Sequence, residues 1–229
     1  MRPLVFIHGA GCTADVFDAQ LRAFPNSYAP ALPGRNSRAE EPAATVAQFA
    51  DAVAEELRFR RLADAVLCGS SMGGAVALEL ALREDVSLAG VVLIGSGARL
   101  RVAPQLFEQL ETDFDAAAKS LARHFFAHPA PEWLDAAVKG MKAVGREQTL
   151  RDFRACDAFD VTGRIAGLRI PLLAIVGERD ALTPPKFSLW LADRVSGATA
   201  RILPGAGHLA MIERPAETNA AIEAFVTRC

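Results

Sequence analysis

Short apolar runs, most of them closed by glycine or proline, recur along this 229-residue chain and alternate with stretches of helical periodicity. They are residues 3–8 (PLVFIH), 28–32 (YAPAL), 65–69 (AVLCG), 88–95 (LAGVVLIG), 171–177 (PLLAIVG) and 198–204 (ATARILP). A run without polar alternation suits a strand covered on both faces, the situation of a parallel sheet between helical layers. The pattern predicts a mainly parallel sheet of about six strands flanked by helices. Thr45 and Gln48 form a capping-box pair ahead of Phe49, Val53 and Leu57, which share one helical face.

The alternation stops between residues 98 and 164. Phe107, Leu110, Phe114, Leu121 and Phe125 recur there at helical spacing, followed by Trp133, Leu134, Val138 and Met141, then Leu150 and Phe153. The expected division is a core of residues 1–97 and 165–229 with a helical cap, 98–164, inserted over the carboxyl ends of the strands, where open α/β sheets bind ligands.

Composition removes several classes. The length suits one sizeable core rather than two. A net charge of −2 and a pI near 6.1 give no electrostatic case for nucleic acid or an anionic membrane. No apolar run approaches the roughly 20 residues that span a bilayer, and the apolar start reads as a strand rather than a signal peptide. Cys12, Cys68, Cys156 and Cys229 are scattered without a CxxC pair, so neither zinc nor a disulfide framework is expected and the reading is a cytoplasmic protein. No cofactor or metal is expected, and the expected partner is a small-molecule substrate.

Chemistry concentrates in a bend. Gly69-Ser70-Ser71-Met72-Gly73 fits G-x-S-x-G with Ser71 at its centre, between an apolar run and an alanine-rich helix. A serine held on so sharp a turn takes a strained backbone, and side chains two positions away on either side would collide. The following helix directs its first amides at the site and favours an anion there. Ser70 lacks that spacing, because Cys68 stands two before it; it reads as a packing or hydrogen-bonding neighbour. A glycine-rich turn without chemistry produces the same pentapeptide, so the rest of the chain must decide.

A serine hydroxyl needs a base. Of His8, His124, His128 and His208, only His208 follows a late strand, in a loop with Gly205 and Gly207. His8 reads as structural or as part of the pocket floor beside Gly9. His124 and His128, four apart, read as sharing a helical face, without a third ligand at metal-site spacing. An orienting carboxylate is offered by Asp180, deeper in its loop than Glu178. The order is Ser71, Asp180, His208, with intervals of 109 and 28 residues.

His8-Gly9, Leu32-Pro33-Gly34, the elbow at 69–74, Gly177-Glu178-Arg179-Asp180 and Gly205-Ala206-Gly207-His208, in that order, resemble the α/β-hydrolase family over nearly the whole chain. The resemblance implies Ser71 as nucleophile, His208 as base, Asp180 as orienting acid, and an oxyanion hole from the amides of Met72 and Ala10. The chain departs from the family in two places. The antiparallel edge strands usual before the first parallel strand are expected to be absent, and Asn36 stands in Pro33-Gly34-Arg35-Asn36-Ser37 where glycine is usual.

Serine at the elbow argues against the carboxylate-dependent dehalogenases and epoxide hydrolases of that family and for acyl transfer to water. The implied activity is a carboxylic ester hydrolase for small to medium uncharged acyl groups. Carbon–carbon hydrolases, enol-lactonases and esterases of carrier-bound acyl methyl esters have similar elbows. A ligand-binding protein without turnover, and a lyase or cofactor-free oxidase, are the readings from other classes. Ten Lys/Arg balance ten Asp/Glu across 98–164, so a docking face for an acidic carrier protein is not supported. The expected pocket comprises His8, Gly9, Phe107, Leu110, Phe125, Trp133 and Met141.

Overall fold

The computed structural model describes residues 2–35 and 43–229; Asn36 and Ser37 of the motif above lie outside them. Among the described residues six strands form one sheet: β1 (Leu4–Ile7), β2 (Ser27–Tyr28), β3 (Ala65–Ser70), β4 (Leu88–Ile94), β5 (Leu172–Gly177) and β6 (Thr199–Leu203). Their order is β2-β1-β3-β4-β5-β6, and all five pairings are parallel. Among the described residues the one antiparallel contact is an isolated bridge between Arg99 and Asp160.

The pleat sends alternate residues to opposite faces. Val5, Ile7, Ala65 and Leu67 enter one core, and Leu4, Phe6, Val66 and Cys68 enter the other. This two-sided burial is why β1 and β3 to β5 are apolar without alternation. β2 is shorter than its apolar run, because Pro30 has no amide to donate to the ladder.

Helices α1 (Asp18–Ala23), α2 (Val46–Phe59) and α3 (Met72–Arg83) precede β4. The capping box at the start of α2 is formed: Thr45 Oγ1 accepts from Gln48 N, and Gln48 Oε1 accepts from Thr45 N. Between β4 and β5 lie α4 (Pro104–Thr112), α5 (Phe114–His124), α6 (Pro131–Val144) and α7 (Arg146–Ala158), with no strand among them. After β5 come α8 (Pro185–Arg194), α9 (Ala210–Glu213) and α10 (Pro215–Val226). None of the described helices is long and apolar enough to cross a membrane.

Successive crossovers run outward from β1 to β2 on one side and from β3 to β6 on the other. The loops after β1 and β3 therefore flank the point where strand order reverses, the usual position of a ligand crevice.

Candidate active site

Ser71 leaves β3 and opens α3 with φ 52° and ψ −117°, a conformation few non-glycine residues adopt. The bend is that tight because the flanking glycines permit it. A Cβ on Gly69 would stand 2.2 Å from the Gly73 carbonyl oxygen, and one on Gly73 would stand 2.0 Å from the Ile7 carbonyl oxygen. The Ser71 amide donates to Ile94 O at 3.0 Å, and Ser96 Oγ donates to Ser71 O at 2.8 Å, so the turn is tied to the end of β4. Ser70 is fully buried, and among the described residues its hydroxyl has no hydrogen-bond partner. Its place beside Ser71 is one of packing only.

His208 and Asp180 approach from the loops after β6 and β5. His208 Nδ1 lies 2.9 Å from Asp180 Oδ2, and both side chains are almost wholly buried. Asp180 Oδ1 accepts the Leu182 and Thr183 amides at 2.9 and 2.8 Å; Thr183 Oγ1 donates to Oδ2 at 2.7 Å. Burial pushes the Asp180 carboxyl upward, but the facing His208 and the Thr183 hydrogen bonds outweigh it and hold the group below the ordinary carboxylate range. The carboxylate thus selects the His208 tautomer with the proton on Nδ1 and leaves Nε2 as acceptor. Glu178 points elsewhere, its Oε2 accepting the Gly205 amide at 3.0 Å. The His208 ring stacks on Phe125, centroids 6.1 Å apart.

Ser71 and His208 face one cavity of about 370 Å³. No direct hydrogen bond joins the Ser71 hydroxyl to His208; proton transfer between them would need a small rotation or a bound substrate to close that contact. Gly9 and Ala10 line the cavity after β1. Among the described residues the Ala10 and Met72 amides have no protein acceptor, Met72 being the first residue of α3, whose leading amides have none within the helix. The walls are apolar, with Leu106, Leu121 and Phe125 on one side and Leu182, Phe187 and Leu209 on the other; exposed Gln105, Gln109 and His124 stand at the mouth.

Of the seven expected pocket residues, Gly9 and Phe125 line this cavity and five do not. His8 is fully buried beneath the loop, its Nδ1 against Gly9 O at 3.1 Å and its Nε2 accepting the Leu32 amide at 3.3 Å. Burial, then the Arg35 charge, lower its pKa to about 3 against the opposing Gly9 carbonyl, so the ring is neutral. Leu110 and Phe107 pack into the core under α4. Trp133 lines a separate cavity of about 100 Å³ behind Phe125 and Leu209. Met141 is buried against Gly11, behind the loop rather than in front of it. Helical periodicity identifies an apolar face but not which apolar neighbour covers it.

His124 and His128 do not share a helical face, because α5 ends at His124. His124 Nδ1 donates to Ser120 O at 2.8 Å, and His128 Nε2 accepts from Arg179 Nη1 at 2.9 Å. Among the described residues no group of three His, Cys, Asp or Glu is placed to hold a metal ion.

Glu213 escaped the sequence reading. Its buried carboxylate accepts the Ala127 and His128 amides at 2.9 and 3.1 Å through Oε1 and the Gly207 amide at 2.5 Å through Oε2. It thereby fastens the residue before His208 to the segment after α5. Thr183 was also missed, although loop aspartates commonly bond to the chain just after them.

A sequence profile of the alpha/beta hydrolase family matches residues 4–221. A pimeloyl-[acyl-carrier protein] methyl ester esterase of Aromatoleum aromaticum is 28% identical, over 97% of each chain. A thermophilic esterase of known structure is 32% identical with a TM-score of 0.88, covering 100% of this chain and 90% of that one. The enol-lactonase of Burkholderia xenovorans LB400, 23% identical over 99% of this chain and 92% of its own, shares the fold with a TM-score of 0.90. With the elbow, the parallel sheet and a profile match over nearly its full length, the chain belongs to the alpha/beta hydrolase family.

Proposed function

We propose that this chain is a serine hydrolase of carboxylic esters, with Ser71 as nucleophile, His208 as general base and Asp180 as its orienting acid. The observation that carries the reading is the positive-φ Ser71 opening on the same apolar cavity as a His208 whose Nδ1 is bound to Asp180. His208 Nε2 takes the Ser71 Oγ proton as the oxygen attacks the ester carbonyl. The oxyanion of the tetrahedral intermediate accepts from the Ala10 and Met72 amides. Collapse expels the alcohol, protonated by His208, and leaves an acyl-serine. A water then attacks the acyl-serine, giving up its proton to His208; collapse of the second tetrahedral intermediate breaks the bond to Ser71 Oγ, which takes that proton back from His208 as the acid departs.

Residues 98–164 serve as a cap whose α4, α5 and α7 wall the cavity. The apolar walls favour uncharged short or medium acyl groups, each buried methylene adding up to about 0.8 kcal/mol until the space is filled. The four free thiols, three of them buried, suit a cytoplasmic protein. The test is turnover of p-nitrophenyl acetate, butyrate, hexanoate and dodecanoate with and without a serine-directed phosphonate. The expected kcat/KM rises to butyrate or hexanoate and falls at dodecanoate, and the phosphonate abolishes it. Poor rates on every simple ester would refute this substrate class. The relatives named for a carrier-protein ester make a carrier-bound acyl methyl ester the second substrate to assay.

A further inference from the structure

The loop that carries Ala10 is held by a buried ion pair that the reaction itself does not use. Asp152, on α7, receives the Gly11 amide on Oδ2 at 2.9 Å. Arg35 grips the same carboxylate with both terminal nitrogens, Nη1 donating to Oδ1 at 3.0 Å and Nη2 to Oδ2. Gln148, one turn earlier on α7, donates to Oδ1 at 2.9 Å. Arg35 also donates to Pro33 O at 3.0 Å and Cys12 O at 3.4 Å. The two charged side chains are 2% and 0% exposed. On the other side of Ala10, the Gly9 carbonyl accepts from His8 Nδ1 at 3.1 Å and the Cys12 amide at 3.3 Å.

Both peptide planes flanking Ala10 are therefore fixed, one through the Gly9 carbonyl and the other through the Gly11 amide. In a trans peptide the N–H points opposite to the preceding C=O. Tying Gly9 O toward His8 and Cys12 thus turns the Ala10 amide away from them, and the bond from Gly11 to Asp152 stops the next plane from rotating. Gly11 has φ +63° and no side chain of its own to resist that rotation. Met141 and Thr149 close over it from α6 and α7.

We propose that Asp152, held by Arg35, is a positioning residue for the Ala10 amide, and that through it helix α7 sets the geometry of the oxyanion hole. The proposal rests on the assignment of Ala10 as an oxyanion donor. A charged acceptor makes a shorter and stronger bond to the Gly11 amide than a neutral one, and Arg35 supplies the counter-charge that buried Asp152 requires.

The test compares two double variants that both remove the charges, R35M/D152N and R35M/D152L. The first keeps an oxygen for the Gly11 amide; the second offers none. With p-nitrophenyl butyrate, R35M/D152N is expected to stay within about tenfold of wild-type kcat. R35M/D152L is expected to lose about 100-fold in kcat with KM within twofold, the scale of one misplaced oxyanion donor. Its Ki for a trifluoromethyl ketone, a tetrahedral mimic, should weaken in step, with no comparable change in its Ki for the butyrate product. Equal losses in the two variants, or a loss of kcat and KM together, would make the pair merely structural and overturn the proposal. Should R35M/D152L fail to fold, the smaller R35M/D152V, which also offers the Gly11 amide no acceptor, takes its place: a selective loss of trifluoromethyl ketone affinity relative to R35M/D152N supports the proposal, and unchanged affinity overturns it. Phosphonate labelling of wild-type Ser71 separates the two readings. Without an adduct the catalytic assignment fails; with an adduct and full activity in R35M/D152L only the positioning role fails.

Discussion

His8 sits under the loop after β1 as a neutral imidazole, and this places a calculable acid sensitivity in the fold. Burial, then the Arg35 charge, depress its pKa from 6.5 to about 3. The unfolded chain keeps the ordinary value, so between pH 6.5 and about 3 the unfolded state binds the proton and the native state does not. Stability attributable to His8 is complete above pH 6.5 and is lost progressively as pH falls toward 3. The full span would cost about 5 kcal/mol, and a shift from pH 7.5 to 4.5 costs roughly 2.5 kcal/mol. Other groups titrate over the same range, so the measurement is a difference of differences. Urea unfolding, followed by the fluorescence of Trp133 and Trp190, is recorded at both pH values for the wild type and for His8→Asn. Asparagine cannot take up the proton. It is expected to start about 1 kcal/mol less stable through weakened hydrogen bonding, but to lose roughly 2.5 kcal/mol less than the wild type on acidification. Equal losses at unchanged urea slopes would show that His8 is not held neutral, and the reasoning fails.

Ser71→Ala should lower kcat by roughly 10⁴-fold or more, and mass spectrometry after phosphonate treatment should place the adduct on Ser71; an adduct on Ser70 would reverse the assignment. Asp180→Asn should fold normally and cost on the order of 10⁴-fold in kcat, because the carboxylate that fixes the imidazole tautomer is gone; near-normal turnover beside an inactive Glu178→Gln would transfer the role. Phe125→Ala should join the two cavities that share Phe125 and Leu209 and move the preferred p-nitrophenyl ester from butyrate toward octanoate or longer, as a rate profile across chain lengths would reveal.

The convergence of Ser71, Asp180 and His208 at one end of the sheet was legible because each is announced by its neighbours. Glycines at 69 and 73 are demanded by contacts of 2.2 and 2.0 Å, and such demands leave a fixed spacing in the sequence. The strands were legible for a similar reason, since a sheet buried on both faces admits few polar residues. Trp133 and Met141 were misplaced because an amphipathic helix displays one apolar stripe whether it faces a substrate or a neighbouring helix. Asp152 was invisible because Arg35 and the Gly11 amide lie 117 and 141 residues from it, and Glu213 because its partners are backbone amides, that of Ala127 86 residues away. A carboxylate that binds main chain leaves no complementary residue type to find.

The position of β6 divides the site by mechanical security. Ser71 springs from β3, a strand with neighbours on both sides, whereas His208 follows β6, the outermost strand, most of whose residues are exposed or half-buried. Opening of an edge costs less than opening of a sheet centre, so fluctuations that detach β6 carry His208, the proposed base, away while the elbow stays formed. Inactivation should then run ahead of global unfolding, and hydrogen exchange should be faster at residues 199–203 than at 65–70. If the proposed roles hold, the lifetime of activity is set at the rim of the sheet, and a substitution that secures β6 is expected to prolong it without touching Ser71.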